Sequence, residues 1–98
     1  MAVGLAFAFR LARAMGRVDP VAVAIVEEVL AAADLPVRVT PQVARRAAQL
    51  MAHDKKRTAG GLMWVLPKGR GASWSVDWDV AADPRAVEET VKEIGVKR

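Results

Sequence analysis

Ninety-eight residues, 53% of them apolar, make one small domain that folds around a modest core. The formal charge of +4 leans toward anionic partners and suits a phosphorylated metabolite as readily as nucleic acid. The chain has no cysteine, which excludes disulfides, thiolate nucleophiles and every Cys-ligated zinc site and fits a reducing, cytoplasmic setting.

Residues 2–16 read as a first helix, with Arg10, Arg13 and Arg17 as a basic stripe on an otherwise apolar or small surface (Val3, Leu5, Phe7, Phe9, Leu11, Met15). The two arginines inside its apolar run leave too little length for a membrane span. The charges also follow the apolar residues, the reverse of a signal peptide. So narrow a polar face calls for burial nearly all round. In so small a domain, that predicts packing against another domain or subunit; the alternative is a central place in a tight four-helix core.

Three helix starts share one device: Asp19-Pro20, Thr40-Pro41 and Asp83-Pro84. A side-chain oxygen caps free N–H groups, and proline in the first turn forfeits no hydrogen bond. The second helix, 20–33, groups Ala22, Ile25, Val26, Val29 and Ala33, and Leu35-Pro36 stops it. The third, 41–54, spaces Val43, Ala47, Leu50 and Met51 at helical intervals. The fourth, 84–94, offers Val87, Val91 and Ile94, a Glu88–Lys92 pair and a stop at Gly95.

Between the third and fourth helices the period becomes two. Trp74, Val76, Trp78 and Val80 alternate with Ser73, Ser75, Asp77 and Asp79, a half-buried strand. Leu62 to Leu66 is its partner and Pro67–Gly71 closes the turn. The predicted fold is mainly α: about four helices with one β-hairpin, in a single helical domain over residues 1–98.

Five cations flank this hairpin: Lys55, Lys56 and Arg57 at the expected end of the third helix, Lys68 and Arg70 at the tip. Lys55 and Lys56 either complement a helix C-terminus or grip a phosphate or carboxylate. Lys68-Gly69-Arg70-Gly71 lacks P-loop spacing and joins two strands instead of leading into a helix. His53 beside Asp54 reads as a local hydrogen-bonding pair. One histidine and no cysteine leave no metal set, and no serine has a base beside it. Trp64, Trp74 and Trp78 follow strand periodicity and are expected in the core, so nucleic-acid stacking is not expected.

The run Asp54-Lys55-Lys56, Gly61-Leu62-Met63-Trp64-Val65-Leu66-Pro67, Gly69-Arg70-Gly71-Ala72 resembles the closing segment of the 3-dehydroquinate synthases, members of the sugar-phosphate cyclase superfamily. Ala2–Ala12, Gly16–Pro20 and Ala31–Pro36 resemble the helices that follow the family's HGE motif. Arg70 departs from the pattern, where the family has an aliphatic residue. The resemblance implies conversion of 3-deoxy-D-arabino-heptulosonate 7-phosphate to 3-dehydroquinate and phosphate in the shikimate pathway, with NAD and zinc or another divalent metal in the complete enzyme. It implies a substrate-anion contact from Lys55 or Lys56, with Arg57, Lys68 and Arg70 as secondary anion-binding candidates. The family's NAD-binding domain and its zinc ligands, a glutamate and two histidines, have no counterpart in these residues. The expectation is a C-terminal part of a two-domain enzyme, without catalytic, metal-binding or cofactor-binding residues of its own and inactive alone. Its partners would be the N-terminal NAD-binding domain or a separate subunit, a phosphorylated sugar acid, and a second copy in a homodimer. The alternatives are a fragment of a related cyclase and a stand-alone protein-binding module of the same fold.

Overall fold

Pro20, Pro41 and Pro84 each open a helix, and the oxygen ahead of each proline serves as its cap. Asp19 accepts from the Ala22 amide at 3.0 Å, Thr40 from Val43 at 3.2 Å, and Asp83 from Arg85 at 2.9 Å. The computed structural model describes the backbone of residues 2–51, 53–58 and 61–96, and the side chains of 3–49, 64–78 and 80–96. In chain order the elements are α1 (Ala2–Ala14), α2 (Pro20–Ala32), α3 (Pro41–Met51), β1 (His53–Thr58), β2 (Gly61–Arg70), β3 (Ser73–Ala81) and α4 (Pro84–Ile94). The four expected helices are present. The expected hairpin is instead a three-stranded antiparallel sheet in the order β1-β2-β3.

The extra strand comes from the end of α3. That helix stops at Met51, and the polar run His53–Thr58 pairs with the start of β2, Thr58 opposite Gly61 and Arg57 opposite Leu62. No apolar residue follows Met51 until Leu62, apart from the small Ala52 and Ala59. A continued helix would therefore gain no buried face, whereas strand pairing gives the same backbone groups partners. The pairing is irregular between His53 and Arg57.

The first helix takes the second of the two places open to it, at the centre of the helical core. Ala6, Phe7, Leu11 and Ala12 have no exposure at all, and Val3 and Phe9 are buried. The cover comes from α2, α3, α4 and β2, all of which pack on α1. The expectation of an external partner for this helix is thus corrected: the chain covers it from within, leaving Leu5 as its exposed large side chain. Small residues make this feasible, because Ala44, Ala47 and Ala48 of α3 and Ala22 of α2 let neighbouring backbones approach closely. Phe7 stacks on Trp64 of β2, centroids 6.0 Å apart and planes within 9°.

The buried faces of α2 and α3 are rotated from the predicted ones. α2 buries Ala22, Val23, Val26 and Leu30 and leaves Val29 63% exposed; α3 buries Ala44, Ala47 and Ala48 and exposes Val43. Both helices are rich enough in apolar residues for more than one face to fit the period, and contact with α1 decides. α4 buries Ala86, Thr90, Val91 and Ile94, with the Thr90 hydroxyl bonded to the Ala86 carbonyl at 2.8 Å.

The strict alternation read along β3 is also broken. Leu66 pairs with Asp77 and Trp64 with Val80, so two steps of β2 face three of β3. This bulge puts Val80 beside Trp64, and it separates Trp78 from the inward set to which simple alternation assigns it. Trp64 is 4% exposed, Trp78 69%, and Val76 is also exposed. Trp74 keeps one edge against Phe9, centroids 4.6 Å apart, and its indole N–H donates to the Gly71 carbonyl. Of the three tryptophans expected in the core, only Trp64 lies fully there.

Candidate anion-binding face at the hairpin tip

The α1–α2 loop and the β2–β3 tip are locked together. The Gly69 amide donates to the Arg17 carbonyl at 3.1 Å, and Val18 bridges Gly69 in parallel. The Arg17 guanidinium bonds the Pro67 carbonyl at 3.2 Å and pairs with Asp77. Asp19 caps α2 and also accepts from the Gly71 amide at 3.1 Å. These bonds, Ala22 first and Gly71 next, hold the Asp19 carboxyl below the usual range, helped by the charge of Arg70. Gly69 sits at φ 151°, and a Cβ there would stand 2.0 Å from the Ser73 carbonyl oxygen, so the turn requires glycine.

Between the two loops lies a cavity of about 100 Å³ lined by Gly16, Arg17, Val18, Asp19, Gly69 and Arg70. A phosphate cradle needs backbone N–H groups turned toward the ligand. The amides of Gly69 and Gly71 are already given to Arg17 and Asp19. Lys68 and Arg70 are exposed at the tip, and Arg70 lies close enough to Asp19 to lower its pKa.

The backbone sets the five cations read from the sequence at two places on the sheet. Lys55 and Lys56 fall between the pairs His53–Met63 and Arg57–Leu62, at the start of β2. Lys68 lies five residues beyond Met63, a separation of roughly 16 Å along an extended strand. The side chains of Lys55, Lys56 and Arg57, and of His53 and Asp54, lie outside the described residues. Their backbone belongs to an edge strand, so a helix C-terminus does not account for these lysines.

Two charged groupings go beyond the sequence reading, which singles out only Arg10 and Arg13 among their arginines. Arg10 binds Glu27 at 2.5 and 2.9 Å and Glu93 at 2.9 Å; Arg13 reaches Glu93 at 3.1 Å, and Arg38 reaches Glu27 at 3.4 Å. This network ties α1 to α2 and α4, which accounts for Arg10 and Arg13 of the basic stripe. Burial pushes the Glu27 carboxyl up, but the bond and charge of Arg10, with Arg38, bring it below the usual range. On the outer surface of α3, Gln42, Arg45, Arg46 and Gln49 border a shallow depression of about 360 Å³. Their i, i+3, i+4, i+7 spacing was legible in the sequence. Arg45 is engaged with Glu88 of α4 at 2.9 and 3.1 Å, in place of the Glu88–Lys92 pair as the principal contact.

Among the described residues no three His, Asp or Glu side chains converge as a metal set. No step through a metal is assigned to them. None of the described helices is long and apolar enough to cross a membrane. No family model matches the chain.

Proposed function

We propose that the chain is the C-terminal helical part of a 3-dehydroquinate synthase or a close sugar-phosphate cyclase relative, supplying a lysine that grips an anionic group of the substrate. The observation that carries this reading is the run from Asp54-Lys55-Lys56 to Ala72 in the segment between α3 and α4. A lysine ammonium offers three donors to a phosphate or carboxylate without a fixed fork geometry, which suits a substrate that carries both groups. Lys56 is the favoured contact and Lys55 the other candidate. NAD, the metal and the bond-making groups belong to the remainder of such an enzyme, which would work in the cytoplasm.

The test combines the 98-residue chain with an NAD-binding N-terminal piece of a 3-dehydroquinate synthase, NAD and zinc. Phosphate release from 3-deoxy-D-arabino-heptulosonate 7-phosphate is followed. Activity is expected from the mixture alone, and Lys56→Ala should cut it roughly 10- to 100-fold, the scale of one hydrogen bond to a charged group. A folded chain that never restores phosphate release rejects the reading.

A second reading, a non-catalytic protein-binding module, gains support from exposed Val76 and Trp78. Its binding surface would be β3, since α1 is covered.

A further inference from the structure

The open edge of β3 carries an interaction code written in both backbone and side chains. β3 is an outer strand, paired with β2 on one side only among the described residues. Its regular stretch places Trp74 opposite Gly69 and Val76 opposite Pro67. Opposed residues in an antiparallel pair either exchange both backbone hydrogen bonds or neither. Pro67 has no N–H to give, and its carbonyl takes the Arg17 guanidinium; the Gly69 amide goes to the Arg17 carbonyl. Both residues therefore turn their polar groups away from β3. It follows that Trp74 and Val76 turn theirs outward, to the free edge.

The side chains along this edge read nearly the same in both directions. Ser73-Trp74-Ser75-Val76-Asp77-Trp78-Asp79 is polar, Trp, polar, Val, polar, Trp, polar about Val76. An identical strand running antiparallel and centred on Val76 sets Val76 against Val76, Trp74 against Trp78, and Ser75 against Asp77. Each Asp77 then meets a serine hydroxyl, a donor, while its charge is already matched by Arg17 of its own chain. Moving the centre by one residue, to Asp77, would oppose two carboxylates and present backbone groups already committed to β2. Charge and hydrogen-bond complementarity thus select both the partner and the register.

We propose that β3 is a self-association edge: two copies of the chain join antiparallel through β3, centred on Val76, into one continuous six-stranded sheet. The contact covers Val76 and Trp78, whose exposures of 52% and 69% are otherwise unexplained for large apolar side chains.

The test is disulfide trapping of the full chain. It has no cysteine of its own, so Val76→Cys introduces a lone thiol, and hydrogen-bonded antiparallel partners lie about 5.5 Å apart at Cα, within disulfide reach. Mild oxidation should convert Val76→Cys to a species of twice 10.5 kDa, at least tenfold faster than Val29→Cys, an exposed site on α2. Sedimentation of the unmodified chain should show a concentration-dependent dimer. Val76→Pro should abolish it while leaving the far-UV circular dichroism unchanged, because the lost N–H points outward. Trp78→Lys should do the same with the backbone untouched. A chain monomeric at millimolar concentration, a dimer that Val76→Cys does not trap, or unfolding by Val76→Pro would each overturn the proposal. The first of these would leave the β3 edge to a different protein partner.

Discussion

The Gly71 amide donates to the Asp19 carboxylate at 3.1 Å, so one side chain both caps α2 and fastens the β2–β3 tip. Asp19→Ala removes the cap and leaves the Gly71 amide without this acceptor. The loss should exceed that of an ordinary helix cap, because two backbone donors lose the same acceptor. Urea unfolding gives the magnitude, and hydrogen exchange should show faster exchange at both Ala22 and Gly71. Asp83→Ala, whose carboxylate caps α4 through Arg85, is the control expected near 1 kcal/mol.

Asp19 and Glu27 together give the fold an acid limit. Asp19 and Glu27 have folded pKa values below their ordinary ones. Their contribution is therefore fully present above the ordinary carboxylate pKa and disappears as pH falls through the depressed folded values. Stability measured by denaturant titration should be flat around neutrality and decline below about pH 4. Glu27→Gln should flatten part of that decline. An acid profile identical in Asp19→Ala, Glu27→Gln and the parent chain would contradict this assignment.

Glu27 also lets the stripe of arginines be tested directly. It is mostly buried and holds both Arg10 and Arg38. Glu27→Ala leaves Arg10 with Glu93 alone and should cost about 2–3 kcal/mol, less than a fully buried pair because the site retains some exposure. A double-mutant cycle between Arg10 and Glu27 should return a coupling of about 1–2 kcal/mol, and the exposed pair Arg45–Glu88 a smaller one.

Gly69 marks the place where the turn tolerates no side chain. Gly69→Ala drives a Cβ toward the Ser73 carbonyl and forces a φ rarely adopted by L-residues. It should destabilise the chain by about 2 kcal/mol or more, read from the urea midpoint, and weaken the Arg17 lock that depends on the Gly69 amide.

What the sequence disclosed tracks how local each signal is. The Asp-Pro and Thr-Pro starts specify their helices within three or four residues, and all three caps form as read. The fate of Arg10, Arg13 and Arg17 depends on Glu27, Glu93 and Asp77, between 17 and 83 residues away along the chain; no local pattern carries those pairings. The burial of α1 was equally opaque, since its composition fits a buried helix without saying which elements cover it. The strand at His53–Thr58 was missed because its polar residues fit a frayed helix end as well as an edge strand, and pairing with β2 decides between them. The bulge at Trp78 was missed because one inserted residue leaves the alternation of letters intact while shifting every later side chain. Charge leaves Lys55 and Lys56 open to either a helix C-terminus or an anion, and only the motif around them favours the anion; their backbone stands on β1.

The tryptophans offer the sharpest contrast between alternation and observed burial. Trp64 stacks on Phe7 at the centre of the fold, whereas Trp78 lies in the open within the bulge of β3. Trp64→Ala should cost about 3–5 kcal/mol, because it opens a cavity beneath the helix that every other helix packs against or near. Trp78→Ala should shift the chain's intrinsic stability by less than about 0.5 kcal/mol when measured at concentrations low enough to keep it monomeric. Intrinsic fluorescence separates the two: the blue-shifted component should vanish with Trp64 and the solvent-exposed component with Trp78. Equal losses of stability in the two variants would restore the simple alternation and place Trp78 in the core.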